Sequence, residues 1–309
     1  MGILRIDLVD GNPGWVDLAR LDEAILALRP GVPVTFLVHG YRYEPGHRHH
    51  DPHRHIFSAE PGGAGRSLSW VRHLGFRGPD APPGLAIAVG WKARGTIWAA
   101  HRACDGAARG LAALIARVAQ VSPGRRVTAI AHSLGARVIL SALPRLPAHA
   151  LHRAVLMSAA ALRGETLAAL DTPAGRACEF VNVTSRENDL FDLCMEVFVA
   201  AGLRASIGLG IGRGVPNWVD VQLDDPAVLR ALDRLGFPVD AGARRVCHWS
   251  TFRRPGVFAL YRALLCDPVP LPFAVLTHSL PDRQWARWTR LVAGPAFDAL
   301  LPRGGDQPS

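Results

Sequence analysis

Between Val127 and Ala136 the chain reads Val-Thr-Ala-Ile-Ala-His-Ser-Leu-Gly-Ala, and no other stretch restricts the fold as tightly. An apolar, partly β-branched run makes a buried strand, and Ser133 follows it almost at once. A helix begins immediately after the serine. A strand that turns into a helix over so few residues leaves no room for bulky neighbours. Ala131 and Gly135, each two residues from Ser133, meet that demand. The turn holds the serine above the strand ends, at a helix N-terminus whose dipole favours a developing oxyanion. The competing reading is a buried serine that caps the helix.

The rest of the chain alternates in the same way, which predicts an α/β protein on a mostly parallel sheet with helices on both faces. Strands are expected over Ile3 to Val9, Val32 to Val38, Leu85 to Val89, Val127 to Ala131, Ala154 to Met157 and Phe180 to Val183. Weaker strand signals lie at Trp218 to Leu223 and Arg245 to Cys247. Helices are expected over Val16 to Leu28, Thr96 to Ala119, Leu134 to Leu143, Leu162 to Leu170 and Val257 to Leu265, the third stopped by Pro144. With 309 residues, 49% of them hydrophobic, the chain can bury a large core without disulfides or a metal. No repeat or composition break divides it. One domain over 1–266 is expected, with insertions at 41–66 and 190–216 and a proline-rich extension over 267–309.

Charge and cysteine usage exclude several classes. The net charge of +9 comes from arginines scattered along the chain, Lys92 being the only lysine, so no basic stripe marks a nucleic-acid partner. Cys104, Cys178, Cys194, Cys247 and Cys266 form no C-x-x-C pair, which fits reduced thiols. Arg5, Asp7 and Asp10 interrupt the start of the chain, so it does not read as a signal peptide. No apolar run is long enough to span a membrane. A cytoplasmic protein is expected.

With Ala131 in place of the first glycine of G-x-S-x-G, the serine turn resembles that of the α/β-hydrolase superfamily, on its esterase and lipase-like side. The resemblance covers roughly Pro33 to Leu265. It implies that Ser133 is the nucleophile, and that the backbone N–H groups of Tyr41 and Leu134 form the oxyanion hole. Tyr41 lies in Val38-His39-Gly40-Tyr41, at the end of a strand. His39 precedes the serine, against the superfamily's order of serine, acid, histidine, and reads as a satisfied structural histidine. Of the histidines after the elbow, His149 and His152 come too early. His248 lies where the catalytic histidine loop belongs, and His278 is the weaker alternative. The run Ser185-Arg186-Glu187-Asn188-Asp189 resembles the acid loop of a bacterial branch of the superfamily. It puts Asp189 in the acid position, with Glu187 and Asp192 as alternatives, and a cap on the next helix is the competing reading of Asp189. The implied activity is hydrolysis of a carboxylic ester or thioester of a small-molecule acyl substrate, without a cofactor. An acyltransferase, or a binding protein that keeps the fold, is the alternative.

Two segments bear on the substrate. Gly46 to His55 contains five histidines and Asp51, but their spacing matches no helix-based metal pair, and a polar cover for the site mouth is the better reading. Phe191 to Val215 joins an amphipathic stretch to the glycine-rich run Ile207 to Gly214. It reads as a lid or as a core helix followed by a flexible loop. That run lacks the spacing of a phosphate or dinucleotide loop. Trp91, ending a strand near the elbow, is a candidate pocket wall or core residue.

Overall fold

The computed structural model describes residues 2–60, 68–77, 84–202, 204–212, 214–242, 244–267, 269–281 and 285–289. The end of the loop expected over 41–66 and the tail beyond 289 lie outside the described residues.

Eight strands form one sheet: β1 (Gly2–Val9), β2 (Asn12–Pro13), β3 (Val34–Val38), β4 (Leu85–Trp91), β5 (Val127–His132), β6 (Arg153–Met157), β7 (Glu179–Thr184) and β8 (Trp218–Gln222). Their order is β2-β1-β4-β3-β5-β6-β7-β8, and every pairing is parallel except that of the two-residue β2 with β1. The helices are α1 (Trp15–Leu26), α2 (Trp70–His73), α3 (Ile97–Val121), α4 (Leu134–Ala142), α5 (Arg163–Leu170), α6 (Pro173–Ala177), α7 (Asp189–Cys194), α8 (Pro226–Arg234), α9 (Ser250–Arg253), α10 (Val257–Leu265) and α11 (Phe273–Ser279).

Strands buried on both faces must be apolar throughout, and β3, β4 and β5 are buried at every residue. Their alternate side chains feed two cores. Phe36, Val38, Ala129 and Ala131 pack with Leu21, Leu111 and Ile139 of α1, α3 and α4 on one face. Leu37, Ile130, Val155 and Val181 pack with Trp70, Leu232, Tyr261 and Leu276 on the other. The expected α/β architecture is what forms. Among the described residues no helix is long and apolar enough to cross a membrane.

Register places the site. Val38 lies beside Ala131, Ala131 beside Leu156, and Met157 beside Val183. The carboxyl ends of β3, β5, β6 and β7 therefore stop level with one another, and the loops leaving them share one sheet edge. One expected strand does not form. Among the described residues Arg245 to Cys247 has no neighbouring strand, because the Cys247 N–H donates to the Glu187 carbonyl at 2.8 Å and fastens this segment to the loop after β7.

Candidate active site

Ser133 joins β5 to α4 with φ 55° and ψ −125°, a conformation costly for any residue with a Cβ, by about 1–3 kcal/mol. The surroundings hold it. The Ser133 N–H donates to the Met157 carbonyl at 3.0 Å, and its own carbonyl accepts from Ala136 at 3.0 Å and Ala160 at 3.1 Å. Two glycines let the neighbouring turns close in. A Cβ on Gly135 would fall on the Val38 carbonyl, and one on Gly40 would sit 2.8 Å from the Ser133 Cβ. The small residue after the serine and the glycine after His39 are thus one packing requirement seen from two sides.

His248 Nε2 lies 3.0 Å from Ser133 Oγ, while its Nδ1 lies 2.7 Å from Asn188 Oδ1. An amide oxygen only accepts, so Nδ1 carries the proton and Nε2 presents its lone pair to the serine hydroxyl. Burial, and next the nearby His132, hold the His248 pKa well below its ordinary value, which keeps the ring neutral.

The third position differs from the expected acid. Asn188, not Asp189, meets the imidazole. β7 ends in a 3-10 turn over Arg186–Asn188 that aims the asparagine at His248 and carries Asp189 away. Asp189 Oδ1 faces the Arg186 guanidinium at 3.3 Å and its Oδ2 accepts from the Trp288 N–H at 2.6 Å. Glu187 is spent elsewhere, 3.3 Å from buried Arg254. Asp192 stands behind the asparagine, whose side chain hydrogen-bonds to it; burial, opposed by Arg186, raises its pKa to about 7. With an acceptor carboxyl on that side, the Asn188 amide has its NH₂ toward Asp192 and its oxygen toward His248. No local signal marked Asn188 in the sequence.

His39 is fully buried, and its Nε2 accepts from the Trp91 N–H at 3.1 Å. Its other nitrogen therefore carries a proton and donates to the Gly40 carbonyl at 2.9 Å. In a trans peptide the N–H points opposite to the C=O, so this bond turns the Tyr41 N–H away from His39. His39 is structural, as expected, and burial drives its pKa down to about 3. Trp91 stacks on it at 5.5 Å, with 1% of its surface exposed, as a core residue. Leu134 opens α4, among the N–H groups that a helix start leaves unpaired. His132 Nε2 donates to the His248 carbonyl at 2.9 Å and so pins the histidine loop. His278 bonds Ala274 within its own helix.

Phe191 stacks on the His248 ring at 4.6 Å, and α7 continues as a π turn over Met195–Val199. The glycine-rich run is anchored at Ile207 and Ile211, both buried, and at Gly208, where any Cβ would overlap Asp192. In the histidine loop, His53 Nε2 reaches Asp7 at 2.8 Å and fixes the loop to β1. Among the described residues no three His, Cys, Asp or Glu side chains are grouped to hold a metal ion. No family model matches the chain, and no curated protein matches it either.

Proposed function

We propose that this chain is a serine hydrolase of the α/β-hydrolase type that cleaves a carboxylic ester or thioester. The observation that carries the reading is a strained, buried serine whose hydroxyl lies 3.0 Å from a neutral imidazole held in the accepting tautomer. Ser133 Oγ attacks the acyl carbon as His248 Nε2 takes its proton. The Tyr41 and Leu134 N–H groups receive the oxyanion. Collapse expels the alcohol or thiol, which leaves with the proton from His248. Water then adds to the acyl-serine, gives a proton to His248, and the acid departs as Ser133 recovers its hydrogen. Asn188 keeps the imidazole in the required tautomer throughout.

A fluorophosphonate probe tests the reading, since only an activated serine displaces its fluoride. Mass spectrometry is expected to find one adduct, on Ser133, that vanishes in Ser133→Ala and weakens strongly in His248→Ala. Folded protein that stays unlabelled would overturn the hydrolase reading.

A further inference from the structure

A cleft of about 380 Å³ is lined by residues of the loop after β3 and of the segment that follows His248. Tyr41, Arg42, His49, His50, Trp249 and Arg253 line it, over an apolar floor that includes Ile56 and Phe252. Tyr41 follows Gly40 and Trp249 follows His248 in the chain, and Phe252 of the cleft packs on His132 at 4.9 Å, which in turn meets the His248 ring at 4.6 Å. No Asp or Glu lines it. The loop carboxylates nearest in sequence are engaged: Glu44 lies 3.6 Å from Lys92 and 3.4 Å from Arg94, and Asp51 accepts from the His53 N–H at 2.9 Å. Arg42 and Arg253 make no ion pair among the described residues.

Arg42 also sits at φ 80°, where glycine would be free of strain. Its N–H donates to the Ala93 carbonyl at 2.8 Å, which fixes the turn. A long cationic side chain kept at a backbone position that suits glycine points to a use for the guanidinium. The charge there is felt. After burial, the neighbouring Arg94, His47 and Arg42 are what lower the pKa of His50.

We propose that this cleft is an anion subsite, and that the substrate of Ser133 carries a carboxylate or phosphate seated between Arg42 and Arg253. Guanidinium groups pair with either anion through parallel N–H donors, and the apolar floor suits the short carbon segment between the anion and the scissile carbonyl. The word substrate rests on the hydrolase reading; the anion site does not.

The test therefore begins without turnover. Ser133→Ala protein is titrated by calorimetry with phenyl phosphate, benzoate and neutral benzyl alcohol. At least one anion is expected to bind roughly tenfold more tightly than the alcohol, and which anion leads separates phosphate from carboxylate. Adding Arg42→Gln or Arg253→Gln is expected to weaken that anion by roughly fivefold or more, and both side chains are exposed enough for the fold to survive. Equal binding of alcohol and anions, no anion binding, or unchanged anion affinity in both glutamine variants would overturn the subsite. Wild-type protein then cleaves the 4-nitrophenyl esters of succinate and butyrate, and the succinate preference is expected to fall in Arg42→Gln. Anion binding without fluorophosphonate labelling removes the hydrolase reading alone, and labelling without anion binding removes the subsite alone.

Discussion

An amide at the third position changes what that residue does for the imidazole. A carboxylate fixes the Nδ1 proton and also stabilises the imidazolium as it forms; Asn188 does the first alone. One step further back stands Asp192, which is buried, meets the asparagine and faces Arg186, with its pKa raised to about 7. Asn188→Ala frees the ring to rotate and to take the other tautomer. A fall in kcat/KM of about 10²–10³ on a 4-nitrophenyl ester is expected, carried mainly by kcat, since general-base catalysis supplies a factor of that order. An unaltered kcat would remove Asn188 from any orienting role. The serine was legible in the sequence because its constraint is local: a tight turn demands small residues within two positions. Asn188 was not. Its neighbours Glu187, Asp189 and Asp192 all look like better partners for a histidine. What turns each of them away is distant in sequence: Arg254 for Glu187, Trp288 for Asp189, and the packing of Gly208 for Asp192.

At the scale of elements, the site depends on how closely the turn after β3 and the start of α4 approach. Gly135 is the contact. A methyl there meets the carbonyls of Val38 and His39, which are backbone and cannot swing aside. Gly135→Ala is expected to lower stability by about 2–4 kcal/mol, the cost of overpacking with backbone displacement. Gly164→Ala is the control: α5 leaves nothing within 4 Å of the new Cβ, and a helical alanine in its place is expected to be neutral or to add about 0.5 kcal/mol. Urea midpoints separate the two, and equal midpoints would mean that the turns can part without cost. Other elements were readable from their starts. α6 and α8 each begin with proline after a capping Thr172 or Asp225, a start signal that the sequence carries plainly. In α6 only Ala174 and Gly175 are buried, whereas α8 buries Val228, Ala231 and Leu232 at helical spacing. The strand expected at Arg245 to Cys247 failed for the opposite reason: its local pattern is right, but pairing is decided by neighbours, and Glu187 takes the place of a strand.

For the molecule as a whole, the buried titratable groups that build the site set how stability responds to acid, and they pull in opposite directions. His39 and His132 are neutral when folded, with pKa values lowered from 6.5 to about 3 and about 4, mainly by burial. The unfolded chain binds protons at these positions first. Their contribution is therefore intact above pH 6.5 and is lost as pH falls below it, by about 2 kcal/mol each on reaching about pH 5. His248, also depressed by burial, acts in the same direction. Asp192 opposes them. Its pKa is raised from 3.8 to about 7, so the folded state takes up the proton first and gains about 2–3 kcal/mol between about pH 8 and pH 5. Asp189, Asp220 and Asp225, also raised by burial, act on the same side as Asp192, so the share due to Asp192 is read by comparison with a variant. Asp192→Asn removes its gain, so acidification across this range should lower the variant's stability relative to wild type, measured by urea unfolding, by about 2–3 kcal/mol. Parallel pH slopes in the two proteins would show that Asp192 is ionised in the folded site at pH 5. Asn188 would then be held by a full negative charge, and the neutral amide would be relaying that charge to the imidazole rather than only choosing its tautomer.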